Sequence, residues 1–206
     1  MELFDEIMLI SRLDALAPRE RAAFALACAR RLEPSLRSDT QTEDLVRACL
    51  ALLEASVLDD DLPRVGSSEA LARLENSPDL DTDPVASTCF ALRTLLHGAS
   101  QDAAWAARRA YDARDQLVWD ELGLQFSDPG AEERVLAHPL MQQELRAQRE
   151  DLNALSAGRI REVVLANRTA RDDNNALENG RSQAALPRWL PPFNANVISV
   201  TLDPYA

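Results

Sequence analysis

The sequence contains no lysine; all 22 basic residues are arginine. A GC-rich genome is the plainest account of that, and it points to no chemistry. Glycine is scarce as well, with six residues scattered singly. That excludes a phosphate-cradling loop, and neither a Walker A loop nor G-x-G-x-x-G is present. G-x-S-x-G and H-E-x-x-H are also missing. The histidines are His97 and His138, each at a helix boundary beside Gly98 or Pro139. A zinc site would have to recruit cysteines that lie within apolar stripes, so no metal or cofactor is expected. Cys28, Cys49 and Cys89 are odd in number, and none forms C-x-x-C. They read as buried, reduced thiols. Aromatics make up 5% of the chain, which disfavours strands. No apolar run is long enough to span a bilayer. The run Ile7-Met8-Leu9-Ile10 is too short for a signal peptide, so a soluble, cytoplasmic protein is expected.

What is present is helical. Alanine, leucine, arginine and glutamate dominate, and 206 residues suffice to bury one real core. The stretch Asp83–Gly98 has a capping acid, Pro84 at the first helical position and a terminating glycine. Between its ends only Arg93 and His97 can carry charge, so this helix should lie buried in the middle of a bundle. Leu3, Ile7, Ile10 and Leu13 predict a short amphipathic helix before it, and Pro18 opens another with Phe24, Cys28 and Leu32 inward. Thr42 is placed to cap a third, and Ser67 or Ser68 a short fourth. Ser100 starts an alanine-faced helix with Ala103, Ala107, Ala110, Leu117 and Val118 inward. Asp128-Pro129 begins another, and from Leu140 one long helix runs to 167–171, bent at Gly158. The fold expected is all-α: a single bundle of about seven to eight helices around a buried central helix (84–97). It occupies 1–171, with an irregular Pro-rich extension over 172–206. Trp189, Pro191-Pro192 and Phe193 in that extension either fold back over the bundle or dock on a partner or second copy.

The net charge of −12 argues against nucleic acid and anionic membranes as partners. Twelve acids fall between Asp39 and Asp83, against Arg47, Arg64 and Arg73. This is either a solvated surface or a face that steers a basic partner, with Asp59, Asp60, Asp61, Asp79, Asp81 and Asp83 as its contact residues. Asp79-x-Asp81-x-Asp83 opens like a calcium loop. Pro84 where glycine belongs and Phe90 where a bidentate glutamate belongs rule that out. Glu144, Glu150 and Asp151 among Arg146 and Arg149 read as surface pairs, or as carboxylates for acid–base chemistry if a cleft gathers them.

Three segments in register resemble the YjaG-like family of bacterial proteins of unknown function. They are Leu13-x-x-Leu16 with the run from Phe24 to Pro34; Leu74 to Asp81 with the run from Ala86 to Leu92; and His138 to Glu144 with Gln148 and Leu152. The resemblance covers about residues 10–168. It implies an all-helical single domain and supplies no catalytic residues, the family having no established activity. Proposals drawn from gene neighbourhoods make relatives immunity proteins against bacterial toxins. The chain departs from the family pattern after Arg171 and in Asp-Pro-Val at the start of the central helix.

The leading expectation is therefore a non-catalytic immunity protein that binds a basic toxin domain through its acidic face. A helical adaptor or homodimer joined by the C-terminal extension is the alternative, and an enzyme using cleft carboxylates the second.

Overall fold

The computed structural model describes residues 1–36, 39–59 and 66–167. Asp60, Asp61, Trp189 and Phe193 lie outside the described residues, as does the extension expected over 172–206. Among the described residues the chain is all-α. The helices are α1 (Glu6–Asp14), α2 (Pro18–Leu32), α3 (Thr40–Leu58), α4 (Ser67–Glu75), α5 (Asp83–His97), α6 (Ser100–Leu122), α7 (Ala131–Ala137) and α8 (Pro139–Ser156). A 3-10 turn, Glu33–Ser35, follows α2, and residues 160–167 form α9.

Proline and glycine punctuate these elements as the sequence suggests. Pro18, Pro84 and Pro139 sit in the first turns of α2, α5 and α8, where a missing N–H costs nothing. Glu20 reaches back to accept from the Ala17 N–H at 2.8 Å. Gly98 ends α5 with φ of 68°. A side chain there would bring its Cβ within 3.2 Å of Pro18 Cβ, so the position needs both the conformation and the space. The Arg21 guanidinium closes the same corner, donating to the carbonyls of Gly98 and Leu16 and to Ser100 Oγ. Ser100 Oγ in turn donates to Asp14 at 2.5 Å.

The core lies where α2, α5 and α6 meet. Alanines make that meeting close: Ala22, Ala25 and Ala29 on α2 are buried, and so are Ala103, Ala107 and Ala110 on α6. Phe24, fully buried on α2, is the largest side chain enclosed. Burial of such a ring contributes about 1.5–3 kcal/mol. The hydroxyls buried on α5 are all engaged: Ser87 with Ala106 O at 3.2 Å, Thr88 with Pro84 O at 2.7 Å and Thr94 with Phe90 O at 2.8 Å. A smaller cluster of Val118, Val135 and Met141 joins the end of α6 to α7 and α8.

Several local expectations need correcting. α5 is buried, but α2 shares the centre, being buried at every residue from Ala22 to Arg30. Its arginines hid this, because Arg30 is satisfied internally by Glu33 and Glu54. Thr82, not Asp83, is the N-cap of α5, and Asp39, not Thr42, caps α3. Ala99 precedes α6, and Ser100 spends its hydroxyl on Asp14. The inward stripe of α1 is Leu9 and Leu13, while Ile7 is 82% exposed. Leu117 is 46% exposed, and Val118 beside it takes the inward position against Val135 and Met141. The long last helix is broken, not bent: Gly158 takes φ of 73°, and α9 folds back.

Candidate functional site

The acid-rich segment builds one face from α3, α4 and the turn before α5. Asp39 holds the first turn of α3, accepting from the N–H groups of Gln41 and Thr42 at 2.8 and 3.1 Å and from the Thr42 hydroxyl at 2.9 Å. Hydrogen bonds from the Thr42 backbone and side chain lower its pKa. Between α3 and α4 lies a cleft of about 530 Å³, lined by Asp39, Thr42, Leu45, Glu69, Arg73 and Asn76 among others. Ser77 and Pro78 close its end. The turn that follows is fixed by Ser77 Oγ accepting from Asp79 N at 3.2 Å and by Thr82 Oγ1 donating to Asp79 O at 2.8 Å.

The face is less acidic than a local count of residues suggests. Three of its acids are matched by arginines distant in sequence. Glu54 pairs with Arg30 at 2.7 Å, Glu75 with Arg93 at 2.5 Å and Asp83 with Arg109 at 3.3 Å. Arg47 takes Glu43 at 2.9 Å and approaches Asp44 at 3.6 Å. Glu69, Asp79 and Asp81 are left with no ion pair among the described residues. Partial burial raises the pKa of Asp83, and Arg109 opposes that rise. Asp59 stands at the C-cap of α3. The six acids chosen from sequence thus separate: Asp79 and Asp81 share the turn beside the cleft, Asp83 is paired, and Asp60 and Asp61 lie outside the described residues.

A second constellation differs from the sequence reading, which took Glu144 and Asp151 as surface pairs with Arg146 and Arg149 or as cleft carboxylates and gave Arg31 no role. Arg31, on the last turn of α2, sits between two buried carboxylates of α8. Its Nε donates to Glu144 at 3.1 Å, its Nη1 to Asp151 at 2.6 Å and to Asn167 Oδ1 at 2.9 Å, and its Nη2 lies 3.3 Å from Cys28 Sγ. Gln148 bridges Glu144 Oε1 at 2.9 Å to the Ala107 carbonyl at 3.1 Å. Glu144 is 3% exposed and Asp151 9%. Burial raises the Asp151 pKa against the pull of Arg31, and burial likewise pushes the Cys28 thiol far up. Burial alone would ease Arg31 towards neutrality, but Glu144, Cys28 and Asp151 overcome it and hold the guanidinium charged. These carboxylates are spoken for. Their arrangement ties α2, α8 and α9 together rather than presenting a base to a substrate. A signal was available: Glu144, Gln148 and Asp151 fall on the inward stripe of Met141, Leu145, Leu152 and Leu155, where no solvated charge belongs.

His138 caps α8 through Nδ1, which accepts from Leu140 N at 3.4 Å, and His97 is exposed at the end of α5. Among the described residues no group of three or more histidines, cysteines or acids is placed to hold a metal ion. No described helix is long and apolar enough to cross a membrane.

A third feature is apolar. A groove of about 300 Å³ runs between the N-terminal segment with α1 and the flank of α8. Phe4 borders it and packs on Tyr111 at 5.0 Å between ring centres, with the Arg108 guanidinium 5.5 Å over the Phe4 ring.

No family model matches the chain, and no curated protein matches it. Its fold is similar to the crystal structure of a DUF416 family protein from Shewanella baltica OS155, with a TM-score of 0.60. The two are 20% identical, and the likeness covers 80% of this chain and 93% of the other. A likeness at that identity concerns the fold, and the all-helical bundle is what the two chains share.

Proposed function

We propose that this chain is a non-catalytic binding protein, a distant member of the YjaG-like family, that engages a basic protein partner through the α3–α4 face. The partner is a bacterial toxin domain, which binding neutralises. The observation that carries this reading is that Glu69, which lines the cleft of about 530 Å³ with Arg73, and Asp79 and Asp81, on the turn that follows its end at Ser77 and Pro78, have no ion pair among the described residues. Carboxylates without an ion pair lose little on meeting arginine or lysine, and they speed the encounter. The rigid core beneath suits a surface that works by fit. The buried carboxylates are saturated by Arg31, which weakens the enzymatic alternative.

The test is a quantitative capture from the source cell with the full chain. Identified partners are then titrated against the wild type and a Glu69→Arg, Asp79→Arg, Asp81→Arg variant. A basic domain should bind the wild type, bind more weakly as salt rises, and lose most of its affinity for the variant. A captured partner that is not basic, or that binds the variant equally well, overturns the reading.

A further inference from the structure

We propose that the groove between α1 and α8 is the seat of this chain's own C-terminal segment, 186–202. The groove is lined by Leu3, Phe4, Met8, Leu9, Leu145 and Leu152, with polar residues at its rim. Of these, Leu3 and Met8 stand 69% and 60% exposed, and Ile7, next to Met8 on α1, stands 82% exposed. A nine-residue helix that turns one apolar face to the core and leaves a second one in water is short of a partner.

The chain itself supplies a match. Residues 186–202 hold Leu186, Trp189, Leu190, Phe193, Val197 and Ile198, and their one charge is Arg188. The charged residues of the groove, Glu2, Asp5, Arg12 and Arg149, cancel one another, with Glu2 paired to Arg149, so the match rests on apolar surface. Pro191 and Pro192 stand between Trp189 and Phe193 in the sequence, and proline-rich segments are of a kind that settles on apolar, aromatic-bordered grooves. Phe4, with Tyr111 behind it, is such a border.

The exit of the chain agrees. α9 folds back towards α8, and the last described residue, Asn167, reaches Asp151 with Nδ2 at 3.4 Å from Oδ1. Asp151 lies in the same turn of α8 as Gln148 and Leu152, which line the groove. The described bundle therefore ends next to the groove's α8 wall. Residues 168–185 can span about 60 Å when extended. A domain of this size is about 40 Å across. A tethered segment also sees the groove at an effective concentration on the order of millimolar, which favours it over a second copy at cellular concentrations.

The inference is independent of the acidic α3–α4 face, so either fails without the other. The test attaches a benzophenone to the full chain at Met8→Cys, a position that lines the groove and is exposed enough that substitution disturbs no core. The native thiols are all buried, so the probe reports position 8. After irradiation at low protein concentration, the expected adducts join residue 8 to 186–202 within one chain. Trp189→Ala with Phe193→Ala should remove most of them. In the unlabelled protein the same double variant should speed amide exchange over residues 1–16 by about tenfold, with α3 unchanged. Adducts to a second chain that grow with concentration would assign the groove to a second copy and overturn the proposal. Adducts confined to the bundle, or exchange unaltered by the double variant, also overturn it.

Discussion

Replacing Arg31 by methionine tests the claim that the polar cluster of α2, α8 and α9 is a structural tie. Methionine keeps the apolar stem and removes the guanidinium. Glu144 and Asp151, 3% and 9% exposed, then face each other without the cation that pairs them. Breaking a buried pair from one side costs about 3–5 kcal/mol at neutral pH. For a domain of this size each kcal/mol moves Tm by about 2–4 °C, so a drop of about 6–20 °C is expected. The loss has a pH signature. Asp151 already has its pKa raised by burial, and removing Arg31 takes away the main influence opposing that rise. An acid whose folded pKa lies above its unfolded value binds its proton more tightly when folded. Its penalty is absent below the unfolded pKa and complete above the folded one. The variant should therefore approach wild-type stability as pH falls from 7 towards the carboxylate range. Urea unfolding followed by far-ultraviolet circular dichroism, at pH 7.5 and 5, measures both effects. Adding Glu144→Gln and Asp151→Asn to Arg31→Met should restore most of the loss at pH 7.5. A loss below about 1 kcal/mol at neutral pH, or one that does not change with pH, refutes the reasoning.

Gly98→Ala meets both a left-handed backbone and Pro18, whereas Gly123→Ala meets the backbone alone, with nothing within 4 Å of its Cβ. The left-handed conformation costs a side chain about 1–2 kcal/mol. Thermal melts should show Gly98→Ala the more damaging, and equal melts would contradict the close approach of α5 to α2. Asp39→Ala should loosen the first turn of α3, with faster amide exchange at Gln41 and Thr42. Because hydrogen bonds lower the Asp39 pKa, its contribution is present above the ordinary carboxylate pKa and lost as pH falls through the lowered one; an effect confined to acid would reverse that sign. Burial raises the Cys49 thiol to about 11 and Cys89 to about 12. At pH 8 the native thiols should react slowly with a disulfide reagent and react fully in urea. Rapid reaction of any one in the folded protein would contradict its place in the core.

The helical bundle was largely legible because its punctuation is local. Pro18, Pro84, Gly98 and Pro139 mark boundaries within a residue or two, and apolar spacing finds the inward faces of α2, α5 and α8. Caps were less legible, since a capping acid and the residue beside it compete over one turn; Asp39 and Thr42 show it. What spacing could not show was pairing across the fold. Arg31 and Glu144 are 113 positions apart, and Arg93 and Arg109 neutralise acids that a local count leaves free. The same blindness made Glu144 and Asp151 look like surface charges. Their placement on an apolar stripe was visible, but the partner that makes it tolerable was not. On α1 the spacing was ambiguous in itself, because Leu3 and Ile7 alternate with Leu9 and Leu13 as a credible inward face.

The reversal at Gly158 carries a further consequence for how this chain can vary. α9 faces the core through Val163 and Val164 and reaches Asp151 through Asn167. A helix advances about 100° per residue. One residue inserted or deleted between 157 and 159 would turn α9 by that angle, carrying the valines towards water and Asn167 off the cluster. Surface turns usually tolerate changes of length better than changes of packing. Here the order is inverted: Gly158 lies in open space, yet the spacing it maintains sets the register of the last described helix.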